Sequence, residues 1–192
     1  MLKYLLPLVL CAGTASAATT TIDFNGFVSG TDLTGVELSG VTFTRGSNTI
    51  ITEVSPSGMS IRGGSFSDAT PYRADFNFVT DMVSVDLGDF GNDSDFLQLR
   101  AYDAVGALLA STSGSLGTAR GMRTLTVTAT DIAYVEFEGG SGAFFPGSVY
   151  ADNFTFNTPA PVPLPAAGGM LALAVAGFGV MRRRRQGAAK HL

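Results

Sequence analysis

Residues 72–87 read Tyr72-Arg73-Ala74-Asp75-Phe76-Asn77-Phe78-Val79, then Thr80-Asp81, then Met82-Val83-Ser84-Val85-Asp86-Leu87. In the first half Tyr72, Ala74, Phe76 and Phe78 alternate with Arg73, Asp75 and Asn77. In the second, Val83, Val85 and Leu87 alternate with Ser84 and Asp86. A two-residue period is what a strand shows when one face is packed and the other is wet. The stretch predicts two strands, 72–79 and 82–87, with a break at Thr80-Asp81. Outward from it the pattern recurs in short segments at 20–24, 36–44, 48–54, 59–62, 96–103, 106–111, 122–128, 132–138 and 148–156. Gly-, Ser- and Asp-rich turns separate them. Ser55-Pro56-Ser57-Gly58 and Ala104-Val105 read as hairpin connections. No segment of helical length holds a 3.6-residue apolar period. The expected fold is all-β: a two-sheet sandwich of jelly-roll type.

The body that carries these strands, residues 18–158, has 19 Thr, 15 Ser, 18 Gly and 13 Phe, which favours strands and turns over helix. Six arginines and no lysine stand against twelve aspartates and four glutamates, a net charge of −10. Nucleic-acid binding needs a basic patch, and the body has none to offer. The single cysteine, Cys11, and the single histidine, His191, both lie outside the body. Disulfides, thiol nucleophiles, Ser-His triads and His/Cys metal sites are thereby excluded from it.

The two ends read as addresses. Lys3, an apolar run to Leu10 and the Ala15-Ser16-Ala17 site form a secretory signal peptide, residues 1–17, cleaved between Ala17 and Ala18. At the other end a Pro-rich linker, residues 159–165, precedes sixteen uncharged residues, 166–181, expected to cross a membrane as one helix. Arg182, Arg183, Arg184 and Arg185 open a basic tail, residues 182–192, placed where a cytoplasmic stop belongs.

Val162, Pro163, Leu164, Pro165 and Ala166, followed by an apolar helix and an arginine cluster, resemble a PEP-CTERM sorting signal in its VPLPA variant. Leu164 stands where the usual tripeptide has Glu, a departure that variant shares. The resemblance implies recognition by exosortase, an integral-membrane transpeptidase. It also implies anchoring in the inner membrane before processing, then release to the surface or matrix of an exopolysaccharide-producing bacterium. The body loosely resembles the β-sandwich domains that precede such signals and carbohydrate-binding jelly rolls of the galactose-binding type. The residues that carry this are the opening Thr-Ile-Asp-Phe, the central Asp-Phe-Leu-Gln-Leu-Arg-Ala-Tyr-Asp and the closing Tyr150-Ala151-Asp152-Asn153-Phe154-Thr155-Phe156.

Four constellations bear on chemistry. Alternation puts Asp152 on the face of Phe154 and Phe156, where a lone carboxylate is costly unless it is paired or metal-bound. Asp23, on the opening strand, is its expected companion in a calcium site. The acidic run 86–95 is an oxygen-rich turn of the kind calcium prefers, but it lacks EF-hand spacing, which weighs toward a solvated turn with Asx caps. Glu136 and Glu138 lie two apart on one strand, a solvated face rather than a glycosidase pair. Phe144 and Phe145, between Gly142 and Gly147, are the expected glycan contacts, with Tyr72, Tyr102, Tyr134 and Tyr150 as further aromatic platforms. The expectation is a non-enzymatic structural or adhesive protein associated with exopolysaccharide. The alternative is a carbohydrate-binding module with specific recognition.

Overall fold

The computed structural model describes residues 17–91, 93–141 and 147–160. The first strand, β1 (Ala18–Ile22), is followed by β2 (Glu37–Leu38), β3 (Val41–Thr44), β4 (Ile50–Ser55) and β5 (Gly58–Gly63). Then come β6 (Tyr72–Asp89), β7 (Asp95–Tyr102), β8 (Leu108–Leu116), β9 (Gly121–Gly140) and β10 (Tyr150–Thr158). Every pairing between them is antiparallel. The described residues contain no helix, and thus none long and apolar enough to cross a membrane. The signal peptide, the sorting motif, the span 166–181 and Arg182–Arg185 lie outside the described residues.

β6 and β9 organise the sandwich. The start of β6 pairs with β3 and with the end of β9, which in turn pairs with β7. The end of β6 pairs with β10 and with the start of β9. Each long strand therefore serves two layers, one with β3, β7 and β8, the other with β10, β5 and β1. Rings from the two layers meet between them. Phe43 of β3 lies edge-on to Phe154 of β10 at 5.1 Å, and Phe137 of β9 approaches Phe154 at 5.8 Å.

The expected break at Thr80-Asp81 is a bulge inside one strand rather than a turn between two. Buried positions are Tyr72, Ala74 and Thr80 before it, and Val83, Val85 and Leu87 after it, so the bulge switches the inward parity. Thr80 Oγ1 holds the kink by donating to Asn157 O at 2.7 Å. Segments 122–128 and 132–138 likewise fuse into β9, which bends where Asp131 adopts φ 63°. Conversely, 36–44 is not one strand. Ser39 and Gly40 both have positive φ, the requirement of a tight two-residue hairpin, and they fold β2 back on β3 with Leu38 opposite Val41. The 55–58 connection forms the expected hairpin, β4 to β5; β7 and β8 also form one, but across residues 103–107 rather than 104–105.

Candidate functional site

The five tyrosines sort into three environments. Tyr72 is buried and belongs to the core: its hydroxyl accepts from the Gly63 amide at 2.6 Å and donates to Val149 O at 3.3 Å. Tyr102 and Tyr134 face outward from paired positions on β7 and β9 and stack at 4.8 Å with planes 10° apart. The other face of Tyr134 carries the Arg73 guanidinium, 3.6 Å from the ring centroid. Both faces of Tyr134 are thus covered. The charged groups around it pair with one another too. Arg73 Nη2 donates to Asp75 at 2.6 Å, and Arg100 Nη2 lies 2.9 Å from Glu138 and 3.5 Å from Glu136. Tyr102 donates to Glu136 at 3.2 Å, and burial raises its phenol pKa before Glu136 adds to the shift. Glu136 and Glu138 are thus a charge-paired outer face, as their spacing implies.

Tyr150, at the start of β10, is different. Phe90 meets it edge-on at 5.7 Å. Together with Phe66, Asp89 and Ser148 they line an open cleft of about 170 Å³. Phe66 is 38% exposed and Phe90 43%, so two large rings face solvent in one concavity. Each ring has an arginine beside it: Arg62 lies 4.5 Å from the Phe66 ring and Arg120 4.9 Å from Phe90. The Gly147 amide donates to Phe66 O at 2.9 Å, tying the approach to β10 to this wall of the cleft. The arrangement offers aromatic surface, a carboxylate and a hydroxyl to one small ligand. Phe144 and Phe145 lie outside the described residues. A larger groove, about 390 Å³, runs from Thr21 past Asp23 and Phe27 to Glu37 and Ser39, but Phe24 in its wall is buried.

The two calcium ligands expected on β1 and β10, Asp23 and Asp152, have different surroundings. The strands do lie side by side, with Ile22 opposite Phe154. Alternation then turns Asp23 outward, where it accepts from the Asn25 amide at 3.2 Å. Asp152 is 1% exposed, but protein donors hold it: Ser57 Oγ at 2.6 Å and the Asn153 amide at 2.8 Å. Burial raises its carboxyl pKa, while the Ser57 and Asn153 bonds oppose that rise.

The acidic run holds what Asp152 lacks. Among the described residues, Asp89, Asp93 and Asp95 bring one carboxylate oxygen each to within 4.8 Å of one another. Asp89 Oδ1 accepts from the Gly91 amide at 2.6 Å, the expected Asx turn. Asp95 is 1% exposed, and among the described residues neither of its oxygens has a hydrogen-bond partner. Burial pushes its carboxyl up to about 7, with Asp89 and Asp93 adding to the shift. That value would suit a general acid, but a group so buried cannot reach a substrate oxygen.

No protein-family model matches the sequence, and no curated protein matches it. Among solved structures the chain is similar to an arabinose-bound α-L-arabinofuranosidase, at 13% identity and TM-score 0.48. That likeness covers 70% of this chain and only 25% of the enzyme. It is also similar to a family 29 carbohydrate-binding module from Piromyces equi, at 6% identity and TM-score 0.44, over 75% and 92% of the two chains. A variant module of that family in complex with mannohexaose gives 14% identity and TM-score 0.45, over 74% and 93%. These are distant likenesses.

Proposed function

We propose that this chain is an exported carbohydrate-binding protein whose jelly-roll-like sandwich holds polysaccharide without cleaving it. The observation that carries the reading is the cleft: Phe66 and Phe90 expose their rings beside Tyr150, Asp89 and Ser148. Sugars present apolar C–H faces and rings of hydroxyls. Aromatic surface takes the first and a few well-placed polar groups take the second. The cleft is smaller than the roughly 300–1,000 Å³ typical of drug-sized ligands, which fits one ring of a longer chain that runs on across the surface. Binding without hydrolysis is favoured because the paired glutamates are tied to Arg100 and Asp95 is buried. Export and retention follow from the terminal segments: signal peptide, VPLPA motif, apolar span and arginine stop.

Affinity electrophoresis of the full chain through gels containing neutral and acidic polysaccharides tests the reading. Migration should slow in at least one of them and recover in Phe66→Ala and Phe90→Ala. A chain retarded equally before and after both substitutions binds elsewhere, and one retarded by no polysaccharide is a structural component instead.

A further inference from the structure

We propose that Asp89, Asp93 and Asp95 form a binding site for a single calcium ion that fastens the end of β6 to the start of β7. The starting point is Asp95. It lies on the inward face of β7 in line with Leu97, Leu99 and Ala101, and is as buried as they are. A carboxylate taken out of water needs donors or a counter-charge. Among the described residues both oxygens of Asp95 lack donors. Its neighbours Asp89 and Asp93 are themselves carboxylates, and among the described residues no arginine forms an ion pair with any of the three.

Three carboxylates that converge with no arginine paired to them, one of them buried and without a donor among the described residues, describe a cation site. Every side-chain donor atom offered is a hard oxygen, which selects against zinc and copper. Magnesium demands a small, near-octahedral shell and keeps most of its waters. Calcium takes six to eight oxygens at flexible angles, with mono- or bidentate carboxylates and backbone carbonyls. The turn suits the second pattern. Asp89 Oδ1 already accepts from Gly91, leaving its other oxygen available. Gly91, at φ 77°, packs so closely on residues 118–120 that a Cβ there would lie 2.9 Å from Thr118 O. The Thr118 carbonyl thus packs against the turn at Gly91.

Asp93 and Asp95 do not line the aromatic cleft, so variants at these positions examine the ion alone. The full chain, stripped with chelator, should bind one calcium in calorimetric titration and respond far less to magnesium. Its Tm should rise by several degrees with calcium. Asp93→Asn, at a half-buried position, and Asp95→Asn, which keeps the shape of the side chain, should each weaken calcium binding. The loss should reach or exceed the roughly 10–100-fold that removal of an outer-shell partner causes. Wild-type affinity retained in both variants would overturn the site. So would a chain that takes no calcium while Asp95→Asn raises Tm equally with and without the ion, because Asp95 would then carry a proton shared with Asp89.

Discussion

The Arg45 guanidinium lies 4.4 Å from the centre of the Tyr72 ring, and both side chains are buried. Arg45 also donates to Thr70 O at 2.8 Å and to Asp68 O at 2.6 Å. Gly63 and Gly147 abut the same guanidinium, where a Cβ on either would collide with it. One cation therefore gathers β3, the 63–71 loop and the segment entering β10. Arg45→Met should cost about 3–5 kcal/mol, the range for breaking a buried charge network by removing one partner. Arg45→Lys should recover only part of this, because an ammonium lacks the planar fork. Urea denaturation of the three proteins measures both. A loss under about 1 kcal/mol would reduce Arg45 to a surface-type pairing.

Tyr72→Phe probes the same hub more gently. It leaves the buried Gly63 amide without its acceptor, an omission worth about 1–3 kcal/mol. Because Arg45 Nη1 also donates to this hydroxyl at 3.3 Å, the two substitutions should be non-additive in a double-mutant cycle.

Gly40→Ala should unsettle the β2–β3 hairpin. Gly40 has φ 82°, and a Cβ would come within 2.7 Å of Phe78 and 2.8 Å of Asn77. The backbone cost alone is about 1–2 kcal/mol. Ser39→Asn, by contrast, should be neutral or stabilising, since Asn tolerates positive φ better than Ser. Thermal melts of the two variants should shift in opposite directions or differ clearly in size.

Asp152 predicts the sign of a pH effect. Burial raises its folded pKa above the ordinary 3.8, so between 3.8 and the raised value the folded state holds more proton than the unfolded one. Stability contributed by this group is therefore greatest at the acid end of that window and falls as pH rises through it. Unfolding free energies measured downward from neutral pH should rise more steeply in wild type than in Asp152→Asn. Parallel profiles would mean that Ser57 and the Asn153 amide fully offset the burial.

The tail makes a processing prediction. With the sorting enzyme absent, intact chain should accumulate in the inner membrane; with it present, the surface form should lack Arg182–Leu192. Mass spectrometry of the mature C-terminus decides, and retention of those residues on the surface form would refute sorting by this motif. Replacing Arg182–Arg185 with Ser should also weaken orientation in the membrane.

Alternation located the strands but not where one ends and another begins. Apolar parity switches between Leu38 and Val41, which marked the hairpin that a single 36–44 strand hides. A similar switch around Thr80 marks a bulge instead, because hydrogen bonding to β9 resumes on the far side. Local pattern cannot tell those cases apart; long-range pairing can. Asp95 was legible in principle, being in phase with Leu97, Leu99 and Ala101, but beginning the strand at Phe96 left it in the turn. The cleft was not legible. Phe66, Phe90 and Tyr150 are far apart in sequence, and each sits in an unremarkable local context until the layers close.

The pairing of β1 with β10 matches Ala18 to Thr158, the two ends of the folded body. A sheet whose first strand waits for its last cannot close before residue 158 is available. β1 must remain unpaired until residue 158 is free to meet it, so folding is delayed by long-range closure rather than by local structure. Throughout that interval Phe24, Phe43 and the strand edges have no finished core or neighbour, which is when aggregation competes most effectively. A chaperone or translocation machinery that holds the chain extended until the final strand arrives would act on this interval, and truncations ending before β10 should be captured by it rather than released as folded protein.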